Sequence, residues 1–220
     1  PSVGGILLVG PRGTAKTTAV RSLLEILPKV ERSQCYYSCL PEDIETGGID
    51  AVCPDCAKKY AEGLPLSAPD RVRLIDLPLN ARLEDVVGGI DERMAVTHER
   101  LRVRRGILAQ ADHNMLYIDE INLLADDIVD AILDAAAQGS YTVRRGPISA
   151  TYHARFVLIG SMNPEEGRLR PQILDRFGLR VIIRGLDDLA ERLEAYRRVQ
   201  AYLANPRNLV VTYSEVTLAA

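Results

Sequence analysis

Ile6-Leu7-Leu8-Val9-Gly10-Pro11-Arg12-Gly13-Thr14-Ala15-Lys16-Thr17 begins with an apolar run and closes on a lysine and a threonine. A short run that is apolar throughout fits a strand buried on both faces of a parallel sheet. The turn after it is rich in glycine, and Lys16 to Leu27 reads as a helix that stops at Pro28. Strand, glycine-rich turn and helix together make a cradle for phosphate, because backbone N–H groups converge on an anion at the helix N-terminus. The Walker A pattern is Gly, any four residues, then Gly-Lys-Ser/Thr. Here Ala15 stands where the second Gly is expected, and Gly13 still gives the loop freedom to turn its amides inward. Lys16 is placed to reach terminal phosphates, and Thr17 to offer its hydroxyl to Mg²⁺.

A second stretch answers the first. Leu116-Tyr117-Ile118-Asp119-Glu120 carries two carboxylates to the C-terminal end of the apolar run that starts at Met115. In open α/β sheets that edge is where ligands sit. Asp119 is expected to hold Mg²⁺ through water, and Glu120 to orient and polarise an attacking water. Further strands are expected at Val72–Leu77, Ala154–Ile159 (ending at Gly160-Ser161) and Val181–Ile183. Asp126–Ala137 reads as an amphipathic helix closed by Gly139, and Leu186–Leu203 as a helix stopped by Asn205-Pro206. Tyr141–Arg144 and Ile148–Tyr152, joined at Arg145-Gly146, read as a β-hairpin. Strands alternating with helices give an α/β class with a mostly parallel sheet flanked by helices.

Composition narrows the function classes. The chain has 220 residues, with 27 Lys+Arg against 30 Asp+Glu and a net charge of −3. That argues against nucleic acid as the main partner. Hydrophobic residues make up 47% and charged residues 26%, the balance of a soluble globular protein of one domain, or one domain plus a fragment. No apolar stretch approaches the roughly 18 residues of a membrane helix, and Pro1–Ile6 shows no secretory leader pattern. A cytoplasmic location is expected.

All four cysteines lie between Cys35 and Cys56. Cys35-x3-Cys39 and Cys53-x2-Cys56 are two chelating pairs with thirteen residues between them. Four thiolates satisfy tetrahedral Zn²⁺, and an iron–sulfur cluster or free thiols are the alternatives. The surrounding segment, from Ser33 to Pro69, is expected to be irregular and to have little core of its own.

These residues resemble the AAA+ ATPases, and among them the ATPase subunit of magnesium and cobalt chelatases. The resemblance runs through Gly10–Thr17, Leu77–Ala81, Gly88–Asp91, Gly106–Ala109, Leu116–Leu124, Arg155–Pro164 and Leu169–Gly178. It implies a P-loop AAA+ core over residues 1–185 carrying three insertions: the cysteine-bearing segment 34–66, a helix-2 insert at 83–104 and a pre-sensor β-hairpin at 141–152. Residues 186–220 would begin a helical lid whose remainder lies beyond Ala220, which implies weak nucleotide affinity and poor assembly for these residues alone. The resemblance further implies that Asn163 is a sensor for the terminal phosphate or the lytic water. Arg176 is implied as an arginine finger reaching a neighbouring subunit's ATP, with Arg170 the other candidate. It implies a hexameric homo-oligomer working with a second AAA+/von Willebrand-type subunit to drive metal insertion into a tetrapyrrole. The alternative within the same resemblance is a remodelling ATPase that acts with a von Willebrand-type partner on a protein client.

Overall fold

The computed structural model describes residues 5–90, 103–146 and 148–205. In chain order the core begins with β1 (Ile6–Val9) and α1 (Lys16–Leu23). Then come β2 (Val30–Ser33), α2 (Pro41–Gly47), α3 (Pro54–Ala61), β3 (Ser67–Asp70) and β4 (Leu74–Asp76). The middle of the chain forms α4 (Leu83–Val87), β5 (Gly88–Ile90), β6 (Val103–Arg105), α5 (Ile107–Gln110) and β7 (Met115–Ile118). After these come α6 (Asp126–Gln138), β8 (Ser140–Arg145), β9 (Ile148–His153), β10 (Val157–Met162), α7 (Pro171–Leu174) and β11 (Leu179–Ile182).

Five of these strands form one parallel sheet in the order β11-β1-β10-β7-β4. Successive side chains of a strand face opposite sides of its sheet, and the core follows that rule. Leu7, Leu116, Ile118 and Leu158 pack on one face with Ile128, Ile132 and Leu133 of α6. Leu8, Met115, Tyr117 and Ile159 pack on the other with Val20 of α1. A strand covered on both faces has no room for a polar/apolar alternation, which is why β7 is buried at every position. Helix α6 buries Ile128, Val129, Ile132, Leu133 and Ala135, and ends where Gly139 takes the left-handed conformation at φ 68°. The expected α/β fold with a parallel sheet between helices is the fold observed.

Several expected boundaries move. Helix α1 ends at Leu23, four residues before the expected Leu27, in turns closed by Leu24, Glu25 and Ile26 amides. The strand expected at Ala154–Ile159 runs instead from Val157 to Met162, so Gly160 and Ser161 lie inside it. Ser161 is tolerated there, fully buried, because its hydroxyl meets Asp119 and the Glu120 amide. The segment expected to be irregular contains α2, α3 and the antiparallel pair β2–β3 that closes its base. It also has a core of its own, built from Cys39, Val52, Cys56 and Leu66. Cysteine supplies two of these four apolar positions, so no hydrophobic period is visible. Gly88-Gly89 belong to β5, paired with β6; the helical stretch expected after them, up to Glu99, lies outside the described residues. The hairpin forms as β8–β9, with Tyr141 opposite Tyr152.

The chain divides after Ile183 into two compact units. In the second, α8 (Leu189–Ala204) is capped by Asp188, whose carboxylate accepts from the Ala190 amide at 2.9 Å.

Candidate active site

The carboxyl ends of β1, β10 and β7 lie side by side, and the loops that leave them build the site. Gly10 closes β1. A Cβ there would come within 2.4 Å of the Ile183 carbonyl oxygen, so the close approach of the backbone to the end of β11 demands glycine. The Gly10 amide donates to the Met162 carbonyl at 3.1 Å, which ties the start of the loop to the end of β10. Thr14 Oγ1 donates to the Pro11 carbonyl, folding the loop on itself. Ala15 sits at φ 60°, ψ 23° as α1 begins. This is the left-handed conformation in which glycine is favoured, so the geometry of the usual motif is kept without its residue. Lys16 Nζ donates to the Gly10 and Pro11 carbonyls at 2.9 and 2.7 Å.

At the end of β7, the Tyr117 hydroxyl lies 3.1 Å from Thr17 Oγ1 and donates to Asp119 Oδ1 at 2.9 Å. It therefore brings the threonine hydroxyl and the aspartate carboxylate to the same spot. Burial raises the pKa of this phenol, and its bond to Asp119 acts in the same direction. Ser161 Oγ also donates to Asp119 Oδ1. Glu120 adopts φ 51°, a conformation rare outside glycine, and its amide donates to Ser161 Oγ at 3.2 Å. Its carboxylate meets Arg12 at 3.2 Å, and Arg12 also pairs with Glu166. Asn163, just past β10, is buried, and its Oδ1 accepts from the Glu165 amide.

Residues 13–18 of the loop, together with Arg12, Asp119, Glu120, Ser161 and Asn163, line one cleft of about 230 Å³. Gly10 and Pro11 stand behind it as framework. Arg170 and Arg176 lie elsewhere. Arg170 pairs with Asp126, and Arg176 with Asp134 at 2.7 Å, so both are held on the flank of α6. The four cysteine sulfurs form a separate cluster, all within 4.8 Å of one another. Within it, hydrogen bonding from Cys39 holds the Cys35 thiol down at about 4 and pushes Cys39 itself up. Burial pushes Cys56 up to about 12.

The sequence does not announce Thr18 and Ser161, which line the cleft, or Tyr117, which stands behind Thr17 and Asp119. Tyr117 looked like one more apolar residue of a buried strand, yet it stands two positions before Asp119 and so shares its face. That spacing was the available signal. Ser161 falls outside the expected strand because that strand ends at Ile159, whereas β10 runs on to Met162.

A curated magnesium-chelatase subunit ChlI homolog from Methanocaldococcus jannaschii is 41% identical over 216 residues, covering 98% of this chain and 57% of that protein. The magnesium-chelatase 38 kDa subunit of Acidiphilium rubrum is 46% identical over 203 residues, covering 92% of this chain and 57% of that protein. The chain belongs to the magnesium-chelatase ATPase-subunit family of AAA+ proteins. A solved structure of this family, a cryo-EM-based complex between subunits BchI and BchD of magnesium chelatase, matches with a TM-score of 0.68 and 42% identity. The match covers 94% of this chain and 61% of that one. The MCM P-loop domain matches residues 90–191, the stretch that holds β7, the hairpin and β10. The family read from Gly10–Thr17, Leu116–Leu124 and Leu169–Gly178 is therefore the family found. As a member of the chelatase ATPase-subunit family, the chain spans 57% of the length of each of these two curated relatives. Among the described residues no helix is long and apolar enough to cross a membrane.

Proposed function

We propose that this chelatase-family chain binds ATP in the cleft and hydrolyses its terminal phosphate as part of a motor for a partner subunit. One observation carries the reading: Lys16 and Thr17 of the loop face the same cleft as Asp119, Glu120 and Asn163 from the ends of β7 and β10. Lys16 exchanges its two carbonyl partners for phosphate oxygens, and the amides of residues 13–17 cradle the phosphate chain. Thr17 Oγ1 and Asp119 fit a Mg²⁺ site, since both already meet at the Tyr117 hydroxyl. Mg²⁺ bound there supplies charge neutralisation on the phosphate oxygens. Glu120 orients and polarises a water. That water attacks the terminal phosphorus, the bond to the ADP oxygen breaks, and ADP leaves with inorganic phosphate. Asn163 can both donate and accept, which suits a contact to the terminal phosphate or the water.

Arg176, or Arg170, completes the site of a neighbouring copy, which makes the working form a ring, hexameric in this reading. Its partner is a second AAA+ subunit of the von Willebrand type, and the work done is insertion of a metal into a tetrapyrrole bound outside this chain. The test is Mg²⁺-dependent phosphate release by the full-length protein with its partner subunit, followed by metal insertion into a porphyrin. Glu120→Gln is expected to lower turnover by about 10²–10⁴-fold while nucleotide still binds. Wild-type protein without Mg²⁺-dependent hydrolysis, together with no effect of Glu120→Gln, overturns the ATPase reading. Hydrolysis without any effect on metal insertion would favour a protein client instead.

A further inference from the structure

Away from the nucleotide cleft, the segment between β2 and β3 brings four thiols to one point. Cys35 and Cys39 flank a turn in which Ser38 takes φ 59°, and Cys53 and Cys56 sit at the start of α3. The pairs approach from different elements, yet their sulfurs all lie within 4.8 Å of one another. A Zn–S bond of about 2.3 Å in a tetrahedron sets its sulfurs roughly 3.8 Å apart, within that limit. A two- or four-iron cluster would hold some of its thiolates further apart, because they are divided among two or four irons rather than all sharing one ion. The backbone already treats these sulfurs as ligand atoms. The Cys39 amide points at Cys35 Sγ at 3.2 Å, and the Cys53 amide at Cys39 Sγ at 3.4 Å. Such N–H···S contacts support thiolate charge around a metal.

The segment needs a staple. Its own core amounts to Cys39, Val52, Cys56 and Leu66 with a few half-buried neighbours, too little to hold about thirty residues unaided. It nevertheless presents ordered groups to the core. Tyr37 stacks on Tyr152 of the hairpin with centroids 6.5 Å apart, and the Tyr36 hydroxyl accepts from the Arg105 amide at 3.2 Å. Asp43 of α2 meets both His153 and Arg155 at 3.4 Å.

We propose that Cys35, Cys39, Cys53 and Cys56 bind one Zn²⁺ as a closed tetrathiolate, and that this ion keeps residues 34–66 folded against the hairpin and β6. All four positions of the tetrahedron are filled by protein, so the ion is structural and takes no part in phosphoryl transfer. Elemental analysis of the full-length protein, expressed in zinc-supplemented medium and purified without chelator, should find about one zinc per chain. Replacing all four cysteines by serine should lower it at least tenfold and open residues 34–66 to limited proteolysis. Co²⁺ in place of zinc should give the intense visible d–d bands of a tetrahedral thiolate site. Should the quadruple variant prove insoluble, the wild type still decides: a mercurial must release zinc as about four thiols are consumed. Iron in the protein, no metal at all, or zinc that survives the quadruple substitution overturns the proposal. None of these readings involves nucleotide, so they stand or fall separately from the ATPase assay.

Discussion

Ala15 shows how a loop can keep its geometry while changing its chemistry. An L-residue with a Cβ in the left-handed region costs about 1–2 kcal/mol, which glycine avoids. Ala15→Gly should therefore raise stability by about 0.5–1 kcal/mol in urea unfolding, the strain relief being partly offset by glycine's freedom in the unfolded chain. An unchanged or lower midpoint would show that residue 15 is relaxed where it stands. The neighbouring Arg12 explains a different feature. It bridges Glu120 and Glu166, so the carboxylate assigned to water is held by a cation of the phosphate loop. In the proposed scheme, phosphate arriving at the loop competes for that same guanidinium, which would couple occupancy of the loop to release of Glu120. Nothing in the spacing of Arg12 announced this contact, since Glu120 lies 108 residues further along the chain.

At the level of elements, the readable parts were those with a period or a punctuating residue. The continuous apolar run of β7, the amphipathic face and terminal glycine of α6, and the Arg145-Gly146 turn of the hairpin each declared themselves locally. Parts decided by long-range partners did not. β10 was misplaced because a serine inside a buried strand makes sense only once Asp119 and the Glu120 amide are beside it. The core of the cysteine-bearing segment is not legible because half of its buried positions are cysteine, and the four positions follow no period. Its attachment to the core was equally hidden. Arg155, in the link between β9 and β10, pairs with Asp112 at 3.3 Å and with Asp43 of α2 at 3.4 Å. Both carboxylates are buried. Arg155→Ala should lower stability by about 2–3 kcal/mol in chemical denaturation, because it leaves buried charge short of a partner. A loss under about 0.5 kcal/mol would mean that solvent or His153 takes over the role.

For the molecule as a whole, the placing of the arginines sets the scale at which the site works. Arg170 and Arg176 lie on the α6 flank and outside the lining of their own cleft, so in the proposed scheme they serve another copy. Arg176→Ala and Glu120→Gln should each be inactive alone, and mixing the two full-length variants should restore part of the hydrolysis, measured as phosphate release. A mixture as silent as its components would place the whole site within one chain. The sheet order carries another consequence, one for synthesis of the chain. β1 pairs only with β10 and β11, whose partner residues lie more than 150 residues downstream. At roughly 5–20 residues per second, a ribosome leaves this apolar strand without partners for about ten to thirty seconds. The phosphate loop cannot take its final shape until Ile183 has emerged to lie against Gly10. During that interval β1 lacks the sheet partners it has in the folded chain, and in the proposed scheme nucleotide can stabilise the fold only once nearly all of the core has been translated.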